Sequence, residues 1–517
     1  MELKKDSIRV LKVKSKAETQ VTFDEDYNVP DVKPDIGRMI QSKGTMSLDE
    51  VRPGDGRVNL KGSLQADLLY VTESGEICSL RAGLPVDEGI NIEGISDGDK
   101  MCLKWEIEDL SLHVIHSRKL NIKAMVTFCV SVDEASEISI PSAVTDEEIP
   151  VQKKKVRLMS LCVHKKDTLR IKDEITLASN RPNIAELLWD TMEVRGLDLR
   201  PEDEMVKAKG ELSVFALYRG DDEGEPIQWL EYTLPFGGEV ECPGCTQELI
   251  PNIEFSVMHQ SLEVKPDADG EERILQADVV LEFDMKLYRE EEHELLLDVY
   301  SPVKECVIHG KKEQLYSLLV RNFSRCRLTD RVEVRQTQGR ILQVCHSQGR
   351  VKIDKTKIVE NGVAAEGVVL MKILYITGSD AMPFYSMDAV VPFFHVAEAR
   401  GITQDCEYYI QAGLEQLSIS MADSNELEVK ASVGLNVLAM CRSEEMIIDQ
   451  VEEQPLDMKK IREMPGITVY MVKQGDTLWS IARRFYTTEE EIRSLNELGE
   501  GEPESGMPLL LVKKVEG

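Results

Sequence analysis

Two cysteines separated by a Pro-Gly dipeptide form the sharpest cluster of reactive side chains in the sequence. Cys242 and Cys245 have the C-x-x-C spacing of half a zinc knuckle or of a dithiol redox pair. A tetrahedral zinc site needs two further ligands, but there is no second C-x-x-C, and the nearest histidine is His259. A redox C-x-x-C normally precedes a helix in a βαβ setting, whereas the residues around this one indicate strands. We therefore expect neither a metal site nor a redox centre here.

The signature motifs of catalysis and nucleotide binding are missing from the sequence. It has no Gly-x-Ser-x-Gly elbow, no Gly-x-x-x-x-Gly-Lys loop and no dinucleotide fingerprint. His293-Glu294 begins like a zinc-protease motif but lacks the second histidine four residues after the first. With 93 acidic residues some carboxylate pair is inevitable, and nothing selects one. We expect a protein that is not an enzyme, with no catalytic residue, metal or cofactor.

Length, charge and cysteine content limit the classes of partner and the cellular compartment that we expect for this protein. The 517 residues are enough for three or four domains, and the net charge of -31 argues against nucleic acid and anionic membranes as partners. The first residues, Met1–Asp6, lack an apolar signal core, and no stretch approaches the roughly 20 apolar residues of a membrane span. Eleven scattered cysteines fit reduced thiols. These features predict a cytoplasmic protein without a membrane span.

The last fifty residues carry a compact pattern of strands and helices. Tyr470–Val472 alternates like a strand, and Gly475-Asp476 then turns the chain. Asp476 or Thr477 can cap the helix that follows. Its apolar side has the i, i+3, i+4, i+7 spacing and consists of Leu478, Ile481, Ala482 and Phe485.

A second short helix and a closing strand complete this segment. Thr488 and Glu491 have the spacing of a capping box, and we expect Ile492 and Leu495 on the buried side of the helix. After an acidic loop, Leu509–Val512 indicates a strand. The predicted order is strand, helix, helix, strand.

The run Gly475–Ala482, followed by Leu495-Asn496, resembles the LysM module. The resemblance implies a βααβ fold that binds N-acetylglucosamine polymers such as peptidoglycan in a groove between the loops Gly475–Leu478 and Asn496–Leu498. Because Trp479 lies off the apolar stripe, we expect it to be partly exposed, and exposed tryptophans often anchor interfaces. The candidate partner- or glycan-binding residues are Gly475, Asp476, Thr477, Leu478, Trp479, Asn496, Glu497, Leu498 and Met507.

The segment departs from the LysM pattern before its last strand. Where the family has Pro-Gly-Gln-x-Leu, this chain has Ser505–Leu509, so that Met507 replaces a polar side chain with polarizable apolar surface. The preceding acidic loop would repel the carboxylates of peptidoglycan peptides. A protein partner in the groove is therefore an alternative to a glycan. The acidic residues of this loop are Glu497, Glu500, Glu502 and Glu504.

The rest of the chain repeats itself three times. Gly62–Tyr70, Gly210–Tyr218 and Gly367–Tyr375 match one another, each spanning eight positions from glycine to tyrosine. A Leu/Val-Pro-Val/Phe element recurs downstream of each copy at residues 84–86, 234–236 and 391–393, and an isoleucine recurs 26 residues upstream, at Ile36, Ile184 and Ile341.

Each repeat ends in a strongly alternating strand, beginning at Leu120, Leu275 and Leu427. Strict alternation buries one face and wets the other, so we predict three antiparallel β-sandwich or barrel-like domains. We also predict a short helix over Glu313–Leu319, with the third repeat opening near Val320, and a linker over Glu444–Gly466. The predicted domains are three β repeats at 1–150, 151–310 and 311–455, a linker at 456–466, and the LysM module at 467–517.

The triplicate resembles the SPOCS repeat of spore-coat-associated proteins, chiefly through Val29–Ile36 together with Gly62–Tyr70. SPOCS repeats followed by one LysM module are similar to clostridial spore morphogenesis proteins. That resemblance implies a protein of the mother-cell cytoplasm that lies at the forespore surface. Its LysM module would bind the coat-basement ATPase (the stage-IV-A protein), and the protein would recruit other spore coat proteins. The leading hypothesis is a scaffold or adaptor in coat assembly. The alternatives are a peptidoglycan-binding module and an enzyme hidden in the β repeats.

Overall fold

A computed structural model describes residues 1–146, 148–221, 227–334, 340–379, 382–499 and 501–513. Among the described residues up to Gln454, the strands fall into three sets of six. The first set is β1 (Leu3–Asn28), β2 (Arg38–Gly54), β3 (Arg57–Val71), β4 (Ile77–Asn91), β5 (Met101–His116) and β6 (Lys119–Val144). The second is β7 (Val151–Thr176), β8 (Ile184–Glu202), β9 (Met205–Gly220), β10 (Gln228–Glu241), β11 (Ile250–Pro266) and β12 (Glu272–Val299). The third is β13 (Glu305–Glu333), β14 (Ile341–Val359), β15 (Gly362–Thr377), β16 (Phe384–Glu398), β17 (Cys406–Met421) and β18 (Glu426–Gln454).

Each set forms a sandwich of two three-stranded antiparallel sheets. In the first repeat the sheets have the orders β1-β6-β5 and β2-β3-β4, and the other repeats follow the same plan. The predicted alternating strands are β6, β12 and β18. Their apolar residues, such as Val126, Leu281 and Val433, are buried between the two sheets. The mainly-β fold class is therefore confirmed.

The glycine and the tyrosine that recur in each repeat are explained by close backbone packing and by a buried hydrogen bond, respectively. A Cβ atom on Gly62 would lie 2.1 Å from the backbone oxygen of Ser47 on the neighbouring strand, and one on Gly367 would meet a backbone oxygen at 2.3 Å. Buried Tyr70 donates its hydroxyl proton to the Pro34 carbonyl at 2.9 Å. The glycine admits the adjacent strand, and the tyrosine fastens the segment that enters the sheet.

The outer strands are too long for one sandwich and continue into a shared stem. A β-bulge interrupts the first strand of each repeat at the same relative position, at Lys14, Cys162 and Leu319. Beyond the bulge each first and last strand continue as a two-stranded ribbon. The three ribbons pack together through equivalent residues of each repeat, namely Val10, Leu158 and Leu315 with Ile140, Leu295 and Ile447.

The sandwiches meet around a common axis. Leu69, Leu217 and Leu374 lie at equivalent positions of β3, β9 and β15 and share one buried cluster. Polar contacts join the first repeat to the second, the second to the third and the third to the first. They are Lys43 Nζ to the Asp190 carbonyl at 2.6 Å, Thr191 Oγ1 to His346 Nε2 at 2.8 Å, and Lys372 Nζ to the Ser42 carbonyl at 2.7 Å. The three repeats therefore form a closed, pseudo-threefold ring.

Two local predictions are wrong. Residues 313–319 are strand within β13, which begins at Glu305, and all of them except the bulged Leu319 pair with β18. Leu315 and its equivalents form the core of the stem. Burial and strand pairing in the stem therefore outweigh the local preference for a helix. The predicted linker over Glu444–Gly466 is strand up to Gln454 and then contains the helix α1 (Met458–Glu463). The C-terminal module follows as β19 (Ile467–Met471), α2 (Leu478–Arg484), α3 (Glu489–Leu495) and β20 (Pro508–Val512).

The glycine contact yields a stability test. We expect Gly62→Ala to cost about 1–3 kcal/mol in the free energy of unfolding, because the new methyl group overlaps a neighbouring backbone oxygen. Gly83→Ala, on β4, is the matched control, because nothing lies within 4 Å of its Cβ position. We expect the control to stay within about 1 kcal/mol of the parent in urea unfolding followed by circular dichroism. Equal effects of the two substitutions would contradict the steric explanation.

Candidate functional site

The C-terminal module has the predicted strand-helix-helix-strand order. β19 and β20 pair antiparallel, with Tyr470 opposite Leu509. Thr477 caps α2 and Thr488 caps α3, and in both capping boxes the threonine side chain accepts a backbone N–H. The second box is the predicted pair with Glu491. The strands and helices of the module share one core, which contains Val472, Leu478, Ile481, Ala482, Ile492, Leu509 and Leu511.

One expected core residue of the module is not buried. Leu495 is 44% exposed, whereas Ile492 on the same helix is fully buried. α3 is only seven residues long, and its last turn passes the edge of the core before the chain turns at Asn496. The prediction of a buried Leu495 is therefore wrong, and this side chain adds apolar surface instead.

The first candidate loop is held together by Asp476. Its carboxylate accepts the Tyr470 hydroxyl proton at 2.7 Å and the Lys473 backbone N–H at 2.9 Å, with Arg484 3.7 Å away. The hydrogen bonds from Tyr470 and Lys473 lower the pKa of the Asp476 carboxyl group. Beside it, Gly475 has a φ of 89°, which favours glycine. Asp476 thus shapes the loop, with its Oδ2 atom engaged inside the module.

The second candidate loop is held by Asn496. Its side-chain amide donates to the carbonyls of Ile492 and Leu510, both at 2.8 Å, and its oxygen accepts the Leu510 N–H at 2.6 Å. These bonds join the end of α3 to β20. Glu497 follows in the left-handed region with a φ of 50°, and the Leu498 N–H donates to Arg493. Asn496 is therefore a structural link between helix and strand.

The acidic loop folds back on the first loop. The Leu478 N–H donates to a carboxylate oxygen of Glu502 at 2.8 Å. Burial and the charge of Glu502 raise the pKa of the nearby Glu489. Met507 is half-buried and packs against the core of the module. Glu500, which the acidic-loop prediction includes, lies outside the described residues.

Trp479 contacts the second repeat of the same chain. Its indole N–H donates to Asp298 Oδ2 at 2.8 Å, and Arg483 NH1 lies 2.8 Å from the same oxygen. The Tyr300 ring packs edge-on against the indole with centroids 4.7 Å apart. The residue expected to anchor an external partner thus docks the module at the end of β12.

The other side of the module presents an apolar surface. Along β19 the side chains of Ile467, Val469 and Met471 are 64%, 66% and 54% exposed. Leu510 lies opposite Val469 on β20 and is 38% exposed. The buried residues of β20, Leu509 and Leu511, point to the opposite face, toward the helices. We refer to Ile467, Val469, Met471 and Leu510 as the outer face. No sequence motif marks the outer face, although the alternation along β19 is a signal for it.

The C-x-x-C pair lies in a turn of the second repeat's core. Cys242 and Cys245 are fully buried, and burial raises the pKa of both thiols, that of Cys245 to about 12. The first repeat has Ile92 and Ile95 in the equivalent turn, also in its core. Shared backbone hydrogen bonds identify the two turns as equivalent. The cysteines occupy apolar packing positions.

A polar cluster between the first and second repeats was not foreseen. Donor atoms of Cys102, Glu254 and Asp284 lie within 4.8 Å of one another. Lys104 lies 2.6 Å from Glu254, and Lys286 donates to Asp133 at 2.5 Å while lying 3.9 Å from Asp284. These contacts form a network of charged side chains that joins the two repeats. The sequence did not predict this cluster, because its residues belong to two different repeats.

Comparison with known families matches both parts of the chain. The family described as SipL, SPOCS domain, matches residues 35–115, 183–265 and 340–422, and the LysM domain matches residues 470–511. Each SPOCS match covers the sheet nearest the axis plus one outer strand and leaves out the two long strands that build the stem. Neither the curated proteins nor the solved structures compared with the chain include a match.

The fold and the site define a protein of tandem β-sandwich domains with a terminal glycan- or protein-binding module. The chain contains three domains of the SipL, SPOCS domain family and a C-terminal LysM domain. SPOCS and LysM are binding or adaptor domains, and the family connects the chain with sporulation. Within the part that the structure describes, no helix is long and apolar enough to cross a membrane.

The docking contact can be tested by Asp298→Ala. This change removes a hydrogen bond between the indole and a carboxylate, worth about 1.5–3 kcal/mol. The half-exposed ion pair with Arg483 adds only about 0–1 kcal/mol. We expect the module to undock, so that limited proteolysis cuts faster between β18 and β19. Asp278 lies on the same strand as Asp298, β12, and pairs with Arg170 on β7. Asp278→Ala is therefore the control and should leave the rate unchanged. Unchanged cutting of the Asp298 variant would contradict the docked arrangement.

Proposed function

We propose that this chain is a non-enzymatic adaptor in spore coat assembly. Its LysM module binds the coat-basement ATPase at the forespore surface in the mother-cell cytoplasm, and the SPOCS ring serves as the scaffold that carries further coat proteins. The proposal combines the sporulation role of the family with the geometry of the module. The single observation that carries it is the outer face.

The outer face suits a protein partner better than a sugar. Four neighbouring apolar side chains on a two-stranded sheet lose hydration when a partner covers them, a gain of about 25 cal/mol per Å² buried. Leu495 lies at the end of α3 and is also exposed. Contiguous exposed apolar surface of this kind marks interaction sites in soluble proteins. It would remain available while Trp479 holds the module on the second repeat.

Glycan binding is the second candidate, and the LysM match favours it. The two polar residues most suited to a sugar, Asp476 and Asn496, already satisfy hydrogen bonds inside the module. Glu502 occupies the backbone N–H of Leu478 in the first loop. A sugar would have to displace that carboxylate or use the remaining backbone groups. A protein partner on the outer face requires neither.

Pull-down of the coat ATPase tests the adaptor function. We expect deletion of residues 463–517 to abolish capture, and Val469→Glu to reduce it about tenfold or more, because a charge would be buried at the centre of the contact. Phe394→Glu is the matched control, since Phe394 is an exposed apolar side chain on β16 of the third repeat. It should capture the ATPase normally. Capture that survives the deletion would remove the LysM module as the contact.

Sedimentation with purified peptidoglycan tests the alternative. We expect the full chain to sediment little more than the chain lacking residues 463–517. Asn496 is unsuitable for this test, because its loss would disturb the link between α3 and β20. The test therefore measures whether soluble N-acetylglucosamine oligomers compete with peptidoglycan for the chain. Strong sedimentation that N-acetylglucosamine oligomers displace would support the glycan function over the adaptor function.

A further inference from the structure

Two cysteines of the third repeat face each other across neighbouring strands. Cys406 is the first residue of β17 and pairs directly with Cys441 on β18. Their sulfur atoms are 3.0 Å apart, and both cysteines are free thiols. Directly opposed residues in an antiparallel pair have Cα atoms about 4.5–5.5 Å apart, within the range that a disulfide spans. Closing the bond would require the sulfurs to approach by about 1 Å.

The position of Cys406 differs among the repeats: the first repeat holds a carboxylate there, and the second holds the buried Leu249. Superimposing the repeats by their strand registers places Asp99 of the first repeat at the position of Cys406. The Asp99 carboxylate accepts the Ser96 backbone N–H at 2.9 Å, and the Cys406 sulfur accepts the Thr403 backbone N–H at 3.4 Å. The fold therefore directs the same donor at a carboxylate in one repeat and at a sulfur in the other. In these two repeats the backbone N–H can stabilise a negative charge at this position.

Further donors surround the Cys406 sulfur. The Thr403 hydroxyl lies 3.5 Å away, and Cys441 is the third group in contact. Burial opposes ionisation of Cys406, but the hydrogen bonds from Cys441 and Thr403 outweigh it and lower the pKa of the thiol. Burial and the neighbouring Cys406 raise the pKa of Cys441 to about 11. The pair thus has one sulfur suited to attack and one that remains protonated.

We propose that Cys406 and Cys441 form a peroxide-responsive dithiol that closes to a disulfide between β17 and β18. The Cys406 thiolate attacks one oxygen of hydrogen peroxide, so that an S–O bond forms, the O–O bond breaks, and hydroxide leaves and is protonated to water. The Cys441 sulfur then attacks the sulfenic acid on Cys406. The S–S bond forms, the S–O bond breaks, and the departing oxygen leaves as water with the Cys441 proton. Overall, two thiols lose two electrons to one peroxide molecule, which gives two molecules of water.

The position of the pair gives the disulfide a mechanical effect. Cys406 lies where the turn after β16 enters β17, in a cluster that also contains Ala399 and Val437. Cys441 lies on the part of β18 that leads into the stem, and its neighbour on β13 is Ser317. The bond would tie the outermost strand of the third sandwich to the strand that enters the stem. Oxidation would therefore make the third repeat more rigid without changing its fold.

The test uses the reduced full chain, hydrogen peroxide and peptide mass mapping after alkylation. We expect a linked peptide pair containing Cys406 and Cys441, about 2 Da lighter than the two free thiols, which a phosphine reductant reverses. The buried Cys242 and Cys245 are the internal control. Because burial raises the pKa of both of those thiols, we expect them to oxidise about tenfold more slowly or not at all. Equally fast linkage of the control pair would overturn the assignment, as would failure of Cys406 and Cys441 to link.

Two variants separate the roles of the sulfurs. In Cys441→Ser, the sulfenic acid on Cys406 has no resolving thiol, so a 1,3-dicarbonyl probe should label Cys406. In Cys406→Ser, Cys441 should stay unlabelled. Labelling of Cys441 at the same rate would reverse the proposed order and contradict the proposal. Circular dichroism checks that both variants fold, and the mapping of the unsubstituted chain stands even if one does not. Oxidation of the unsubstituted chain should also raise its midpoint of thermal unfolding by a few degrees.

Discussion

The burial of one strand on both of its faces is the constraint on which the rest of the structure depends. In each repeat the end of the third strand sends alternate side chains in opposite directions. Leu68 and Tyr70 enter the core of their own sandwich, whereas Leu69 enters the cluster on the axis that the repeats share. An antiparallel strand usually has one wet face, so a strand that is dry on both sides needs cover from neighbours. The neighbouring repeats supply that cover, which makes each sandwich incomplete on its own.

The stem extends the same dependence. A two-stranded ribbon is marginally stable by itself in water, and each repeat contributes one such ribbon. Three ribbons together can bury equivalent residues such as Val10, Leu158 and Leu315 against one another. The bulges at Lys14, Cys162 and Leu319 let each long strand leave its sandwich and change direction toward the stem. Sandwich and ribbon of a repeat are thus continuous in the chain but complete different shared cores.

The three repeats and their sandwich folds could be predicted from the sequence, because both produce local residue patterns. The alternation that starts at Leu120 predicted one buried face, and the recurring glycine marked a close approach of backbones. The ring was not predictable in this way, since its contacts join distant residues, such as Lys43 and Asp190, which are 147 positions apart. The uninterrupted apolar end of Gly62–Tyr70 was nevertheless a sign of burial on two sides. The false helix over Glu313–Leu319 arose in the stem, where burial depends on the other two repeats.

The same distinction explains what was visible of the site. The capping box of α3 was predicted from Thr488 and Glu491, which lie three positions apart. For α2 the sequence left Asp476 and Thr477 as alternatives, and Thr477 is the cap. The partner of Trp479 was not, because Asp298 lies 181 residues earlier in the chain. A tryptophan off the apolar stripe indicated an interface correctly in kind, but this interface is within the molecule. Trp479 lies on a helix and the outer face lies on the two-stranded sheet, so the side that contacts the second repeat is separate from the side that we propose for a partner. An adaptor requires this separation, because a module that used one surface for both contacts would leave its scaffold when it bound.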